Sequence, residues 1–167
     1  MKRRTFLLIP LFLFCISANA QNMNVFEKHW FVYNTDTLPY RLLLPENYDA
    51  SKKYPLIFFM HGAGERGNDN ELQLVHGAKL FLKEEVRKNY PAIVVFPQCP
   101  INSFWSSLSF RADSLGKRSF VFNAANEPTI AMKMANGLLH ELIKKYPVQK
   151  KKVYAGGLSM GGMGTFE

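Results

Sequence analysis

Three short, uninterrupted apolar runs constrain this chain most: Leu56-Ile57-Phe58-Phe59-Met60, Ile93-Val94-Val95-Phe96 and the shorter Val153-Tyr154-Ala155. A strand with one wet face alternates apolar and polar residues. A strand covered on both faces does not, and parallel sheets bury both faces. Between the runs lie two helical patterns. Residues 70–88 place Leu74, Ala78, Phe81, Leu82 and Val86 at helical spacing. Residues 127–146 repeat Ile130, Met134, Leu138, Leu142 and Tyr146 every four residues, with Asn126 available as a cap, Pro128 in the first turn and Pro147 as a stop. Strand and helix in alternation predict an α/β domain built on a mostly parallel sheet flanked by helices. Residues 29–34 and 40–44 are rich in β-formers around Thr35-Asp36-Thr37, which predicts an antiparallel opening hairpin. Residues 101–125, polar with interspersed aromatics, exceed a minimal crossover; they read either as a wall of a ligand site or as a surface insertion.

The third apolar run feeds Gly157-Leu158-Ser159-Met160-Gly161. G-x-S-x-G between a strand and a helix is the pattern of a nucleophile elbow. The turn is sharp, so small residues must flank the serine, and Gly157, Gly161, Gly162 and Gly164 supply that clearance. Ser159 is the candidate nucleophile, and Met160 offers the first N–H of an oxyanion hole. A second donor must come from a loop after an earlier strand. His61-Gly62-Ala63-Gly64 directly follows the first apolar run, which makes Ala63, then Gly64, the candidates. His61 is read as organising that loop rather than as a base. His76 and His140 fall in helical patterns and His29 near an edge strand, so these are read as structural or exposed.

The N-terminus has the form of a secretory signal: Lys2, Arg3 and Arg4, an apolar stretch over residues 6–16, then Ala18-Asn19-Ala20. The apolar stretch is shorter than the roughly 20 residues that span a bilayer. The expected division is therefore residues 1–20 as signal and 21–167 as one α/β domain, in a secreted or periplasmic protein. Removing the signal leaves 18 basic against 13 acidic residues. Much of that excess sits in Lys144, Lys145, Lys150, Lys151 and Lys152, read as a solvated surface at a helix end. Without interleaved aromatics or a binding motif, this cluster gives no reason to expect nucleic-acid binding. Cys99 would be the one cysteine left, which permits no internal disulfide and no cysteine-based metal site. No metal or organic cofactor is expected.

Four segments together resemble the α/β-hydrolase superfamily: residues 40–45 (Tyr-Arg-Leu-Leu-Leu-Pro), His61-Gly62-Ala63-Gly64-Glu65-Arg66-Gly67, Phe96-Pro97-Gln98-Cys99-Pro100 with Trp105, and residues 156–162 around Ser159. The likeness is to secreted esterases of the feruloyl, acetylxylan and polyhydroxybutyrate-depolymerase type. Phospholipase/carboxylesterase and prolyl-oligopeptidase-like domains are also similar. The resemblance implies a serine acyl-enzyme and an ester substrate, small or carbohydrate-linked. It also implies possible substrate-binding positions at Glu65, Arg66, Gln98 and Trp105. It places a triad acid and histidine after the serine, on further strands. The expectation is thus an N-terminal half of the fold, truncated after the elbow and inactive alone. The rival readings are a peptidase on the same fold and a non-catalytic binding protein or defective remnant.

Overall fold

The computed structural model describes residues 22–122 and 127–167. The expected signal over residues 1–20 and the expected cap Asn126 lie outside them. Each apolar run forms a strand: β3 (Tyr54–Met60), β4 (Ile93–Pro97) and β7 (Val148–Gly157). They lie side by side with β3 in the middle, parallel to both neighbours. The opening hairpin, β1 (Glu27–Tyr33) and β2 (Asp36–Leu43), joins the edge of β4 through antiparallel pairing. The order is β1-β2-β4-β3-β7, so the sheet is mixed and its parallel part is confined to three strands. The hairpin turns at Asn34, whose φ of 55° is left-handed, so the turn precedes the expected Thr35-Asp36-Thr37. Asparagine tolerates that conformation better than threonine does.

Burial on both faces explains the first two unbroken runs; the third does not share it, because β7 is an edge strand on which Tyr154 and Ala155 are exposed. Leu56, Phe58, Met60, Ile93 and Val95 pack into one cluster with Leu38, Leu42 and the helix α3 (Ile130–Lys145). The alternate residues Val94 and Phe96, with Ile57 and Phe59 partly buried, pack on the other face against Phe26, Leu74 and Ala78. From α3, Met134, Leu138 and Leu142 of the expected stripe are buried together with Ala131 and Ala135, while Ile130 at the helix start is exposed and Tyr146 only partly buried. The helix begins later than the expected residues 127–146. Thr129 is its cap, accepting from Met132 N (3.1 Å) while its hydroxyl donates to Phe104 O (2.6 Å). One side chain thereby fixes both the helix start and the neighbouring loop. The helix ends as Tyr146 turns extended ahead of Pro147, which disfavours a helical predecessor.

The single helix expected over residues 70–88 is not formed. A 3-10 turn (Leu72–Leu74) and two short helices, α1 (Ala78–Phe81) and α2 (Glu84–Asn89), replace it. Gly77 breaks the run at φ +86°, where a Cβ would meet the Phe59 ring at 3.0 Å. Lys83 is extended between α1 and α2. Upstream, Asp69 Oδ1 accepts from Glu71 N (2.8 Å) and Leu72 N (3.1 Å) and starts the turn locally.

The long insertion folds as a separate hairpin of β5 (Leu108–Ala112) and β6 (Arg118–Phe122). Its turn is closed by Asp113, which accepts from Leu115 N and Lys117 N, both at 2.9 Å. Among the described residues no helix is long and apolar enough to cross a membrane.

Candidate active site

Ser159 lies between the C-terminal end of β7 and the short helix α4 (Met160–Gly164), with φ 49° and ψ −115°. A side chain at positive φ costs on the order of 1–3 kcal/mol and persists only where surrounding contacts impose it. Those contacts are visible. Leu158 N donates to Met60 O at 3.1 Å, Gly161 N to Leu158 O at 2.8 Å and Met163 N to Ser159 O at 3.0 Å. The flanking glycines carry the close approach. A Cβ on Gly161 would lie 2.0 Å from Met60 O, and one on Gly157 would lie 2.5 Å from both Met60 O and Gly161 C. The seryl group is left exposed at the end of the strand.

The loop after β3 comes to the same place. A Cβ on Gly62 would lie 3.8 Å from Ser159 Cβ and 3.6 Å from Leu158 O. Ala63 and Gly64 open a single 3-10 turn (Ala63–Glu65) immediately beyond, both exposed. First-turn N–H groups have no intrahelical acceptor, so they are available to an oxyanion. Met160, first residue of α4, has its side chain buried and its N–H in the equivalent first-turn position.

His61 holds this loop rather than touching Ser159. Its Nε2 accepts from Cys99 N at 2.9 Å, which requires Nε2 to be unprotonated. Nδ1–H then donates to Gly62 O at 2.6 Å. Burial holds the imidazole pKa below its ordinary value. The neutral ring is therefore the folded state's ring, and the unfolded chain protonates first as pH falls. Stability from this site is complete above pH about 6.5 and declines below it, towards the depressed folded pKa. As pH falls below about 6.5 the unfolding free energy is expected to decline, this one group contributing a slope of at most about 1.4 kcal/mol per pH unit. A His61→Gln variant should show a flatter profile over the same range in denaturant titrations. A parallel profile would contradict the assignment.

The other histidines are also engaged away from the serine. His29 Nε2 meets Glu27 at 3.0 Å and His140 Nδ1 meets Asn136 O at 2.8 Å. His76 sits in the bend before α1 rather than in a helix, with Nε2 3.7 Å from Glu65 Oε1. Among the described residues no histidine hydrogen-bonds Ser159 Oγ.

The four further positions fall into two groups. Glu65 and Arg66 border the site. The Glu65 side chain is 15% exposed, and its Oε2 lies 3.0 Å from the Gly62 Cβ position that also neighbours Ser159. Arg66 donates from Nε to Ala63 O (2.9 Å) and from Nη1 to Ile101 O (3.1 Å) and Ser103 O (3.2 Å). Its guanidinium also lies 4.4 Å from the centroid of the Phe104 ring. It thus ties the loop after β3 to the insertion. Gln98 and Trp105 are fully buried and act as braces. Gln98 accepts from Asn70 N (2.8 Å) and donates to Asp69 Oδ1 (2.8 Å) and Glu65 O (3.3 Å). Trp105 donates to His61 O at 3.1 Å, and its Cβ lies 2.6 Å from where a Gly164 Cβ would be.

Three residues outside these expectations also brace the surroundings of the site. Arg41, almost wholly buried on β2, donates to Asn70 O (2.6 Å) and Phe26 O (2.7 Å) and pairs with Glu71. Asn70 carries a left-handed φ of 56° and donates to His29 O at 3.1 Å. Glu167 Oε1 accepts from Ser106 Oγ (2.6 Å) and Ser107 N (2.8 Å), linking the insertion to the segment after α4. The arginine inside an otherwise apolar strand was the available signal for a buried polar anchor.

Comparison with known proteins agrees with this geometry. The family described as "Putative esterase" matches residues 35–166. A solved thermostable esterase is 34% identical, with a TM-score of 0.70 over 85% of this chain and 36% of its own. A ferulic acid esterase, 20% identical with a TM-score of 0.53 over 82% of this chain and 51% of its own, shares the fold. A probable dipeptidyl-peptidase 5 of Aspergillus niger is 39% identical over 56 residues, which are 34% of this chain and 8% of that protein. The chain thus spans about a third of the thermostable esterase's length. With the strand-to-helix serine and the glycine loop beside it, the match over most of the sequence shows that this chain belongs to the esterase family and carries part of an α/β-hydrolase fold.

Proposed function

We propose that the whole protein is a secreted carboxylesterase that works through a Ser159 acyl-enzyme. The observation that carries this reading is the strained Ser159 with the Gly62–Ala63 loop against it. Ser159 Oγ attacks the ester carbonyl. Met160 N–H with Ala63 N–H, or Gly64 N–H next to it, receives the oxyanion. The alcohol leaves, and water releases the acid. Among the described residues no histidine bonds Ser159 Oγ, and the chain spans 36% of the thermostable esterase, which supports a triad base and acid supplied by the remainder of the whole enzyme. Free serine is a weak nucleophile, so without them the stretch in hand is inactive. Glu65 and Arg66, at the border, contact the substrate. Secretion, through cleavage after Ala20, suits esters linked to carbohydrate. Protein recovered from the medium or periplasm should begin at Gln21; a retained Met1 would refute export by this signal.

The local identity to a dipeptidyl-peptidase supports a second reading, a peptidase on the same frame. The full-length enzyme, assayed on p-nitrophenyl acetate and on a dipeptidyl p-nitroanilide, separates the two. The esterase reading expects kcat/KM for the ester to exceed that for the amide by at least about 100-fold, and by more than the uncatalysed reactivities differ. Preference for the anilide would overturn it.

A further inference from the structure

We propose that Arg66 is a positioning residue for the ester reaction: it aims the Gly64 N–H at the oxyanion and makes that aim depend on residues 101–104, the start of the insertion. This rests on the oxyanion donors proposed above. The turn that carries them does not hold itself. Ala63–Glu65 is a single 3-10 turn, closed by one long bond from Glu65 N to Gly62 O at 3.4 Å. A lone turn fixes several dihedrals for one bond and is unstable by itself. Packing adds little at its tip, because a Cβ on Gly64 would meet nothing within 4 Å and Ala63 is exposed. The orientation of the Ala63 and Gly64 N–H groups must therefore come from side chains that grip the carbonyls.

Two side chains do so, one for each donor. A trans peptide is flat, and its C=O and N–H point to opposite sides. Whatever fixes a carbonyl thereby aims the N–H of the next residue. His61 Nδ1–H donates to Gly62 O at 2.6 Å, which sets the Gly62–Ala63 peptide and the Ala63 N–H. Arg66 Nε donates to Ala63 O at 2.9 Å, which sets the Ala63–Gly64 peptide and the Gly64 N–H. Ala63 lies between the two planes, so its backbone is fixed only while both bonds hold.

The guanidinium is itself held from the insertion. Nη1 donates to Ile101 O (3.1 Å) and Ser103 O (3.2 Å), and the centroid of the Phe104 ring lies 4.4 Å from the guanidinium carbon. Phe104 O in turn accepts, at 2.6 Å, from the Thr129 hydroxyl that caps α3. Every partner in this path lies between residues 61 and 132. One planar group with donors at fixed angles thus spans Ala63 O on one side and two carbonyls of the insertion on the other. A lysine carries the same charge but gathers its donors on one nitrogen, which cannot occupy the Nε and Nη1 positions together.

Oxygen-to-sulfur substitution in the substrate tests this on the full-length enzyme, because sulfur accepts hydrogen bonds weakly and a thionoester gains little from oxyanion donors. p-Nitrophenyl acetate and p-nitrophenyl thionoacetate are compared by kcat/KM, each relative to its rate with hydroxide. The wild type should favour the oxygen ester by at least about tenfold. Arg66→Ala should lower kcat/KM for the oxygen ester by at least about tenfold and the oxygen-to-sulfur preference by at least about threefold. Arg66→Lys should do the same. Phe104→Leu, which keeps apolar bulk and removes the ring, should lower the preference by at least about twofold, and it decides the matter if Arg66→Ala does not melt cooperatively. A role of Arg66 confined to substrate contact would leave the preference at its wild-type value. A wild-type preference in folded Arg66→Ala, full activity in Arg66→Lys, or an unchanged Phe104→Leu would overturn the positioning role and leave the esterase reading standing. A wild type that does not favour the oxygen ester would overturn the proposed oxyanion donors, and this inference with them.

Discussion

A Gly161→Ala variant of the full-length enzyme is expected to lose more than about 3 kcal/mol of stability, at the upper end of what overpacking costs. The added methyl would lie 2.0 Å from Met60 O and 2.5 Å from Met60 C. Both are backbone atoms of the central strand, so no rotamer change relieves the overlap. Either α4 lifts from β3 or the end of β3 moves, and each breaks the Leu158 N to Met60 O bond that sets the elbow. For a domain of this size the melting temperature should fall by about 6–12 °C. Gly64→Ala is the control: its added methyl meets nothing within 4 Å, and its stability should stay within about 0.5 kcal/mol of wild type. Thermal melts of the two proteins check the contrast. A Gly161→Ala melt within 1 °C of wild type would show that the elbow does not pack against β3 as described.

The same close packing explains what could be read from sequence and what could not. Leu56 to Met60 and Ile93 to Phe96 were legible because burial on both faces leaves no polar positions, and that composition is rare outside a sheet interior. The stripe of α3 was legible because a single face repeats every three to four residues. The elbow was legible because steric exclusion at Gly157 and Gly161 leaves few residue choices. Residues 70–88 were misleading. Their apolar spacing fits a helix, yet Leu74 and Ala78 serve separate short elements, and the break at Gly77 depends on the Phe59 ring from another strand. Helical period cannot report a contact that arrives from elsewhere in the chain. Gln98 and Trp105 show the same limit. Both brace the loop after β3, and their burial depends on partners 29 and 44 residues away, Asp69 and His61. The start of α3 was displaced for a comparable reason: Thr129 is bonded to Phe104 O, 25 residues upstream.

Ser159→Ala and Ser159→Gly are expected to abolish ester hydrolysis by the full-length enzyme alike, with kcat lowered by at least about 10⁴-fold. What remains is the contribution of binding and the oxyanion donors, because neither substitution disturbs Ala63, Gly64 or Met160. The two variants should differ in stability. Alanine keeps a Cβ at φ 49° and so retains the backbone cost that serine has. Glycine removes the Cβ and should stabilise the fold by about 1 kcal/mol, raising the melting temperature by about 2–4 °C. Elbow strain and the proposed nucleophile thus share one residue, and the pair of variants separates the two roles. Stopped assays on p-nitrophenyl acetate give the rate, and melts of the same preparations give the stability. Activity within tenfold of wild type in either variant would remove Ser159 from the chemistry. Equal melting temperatures for the alanine and glycine variants would mean that the left-handed backbone at this position carries no strain.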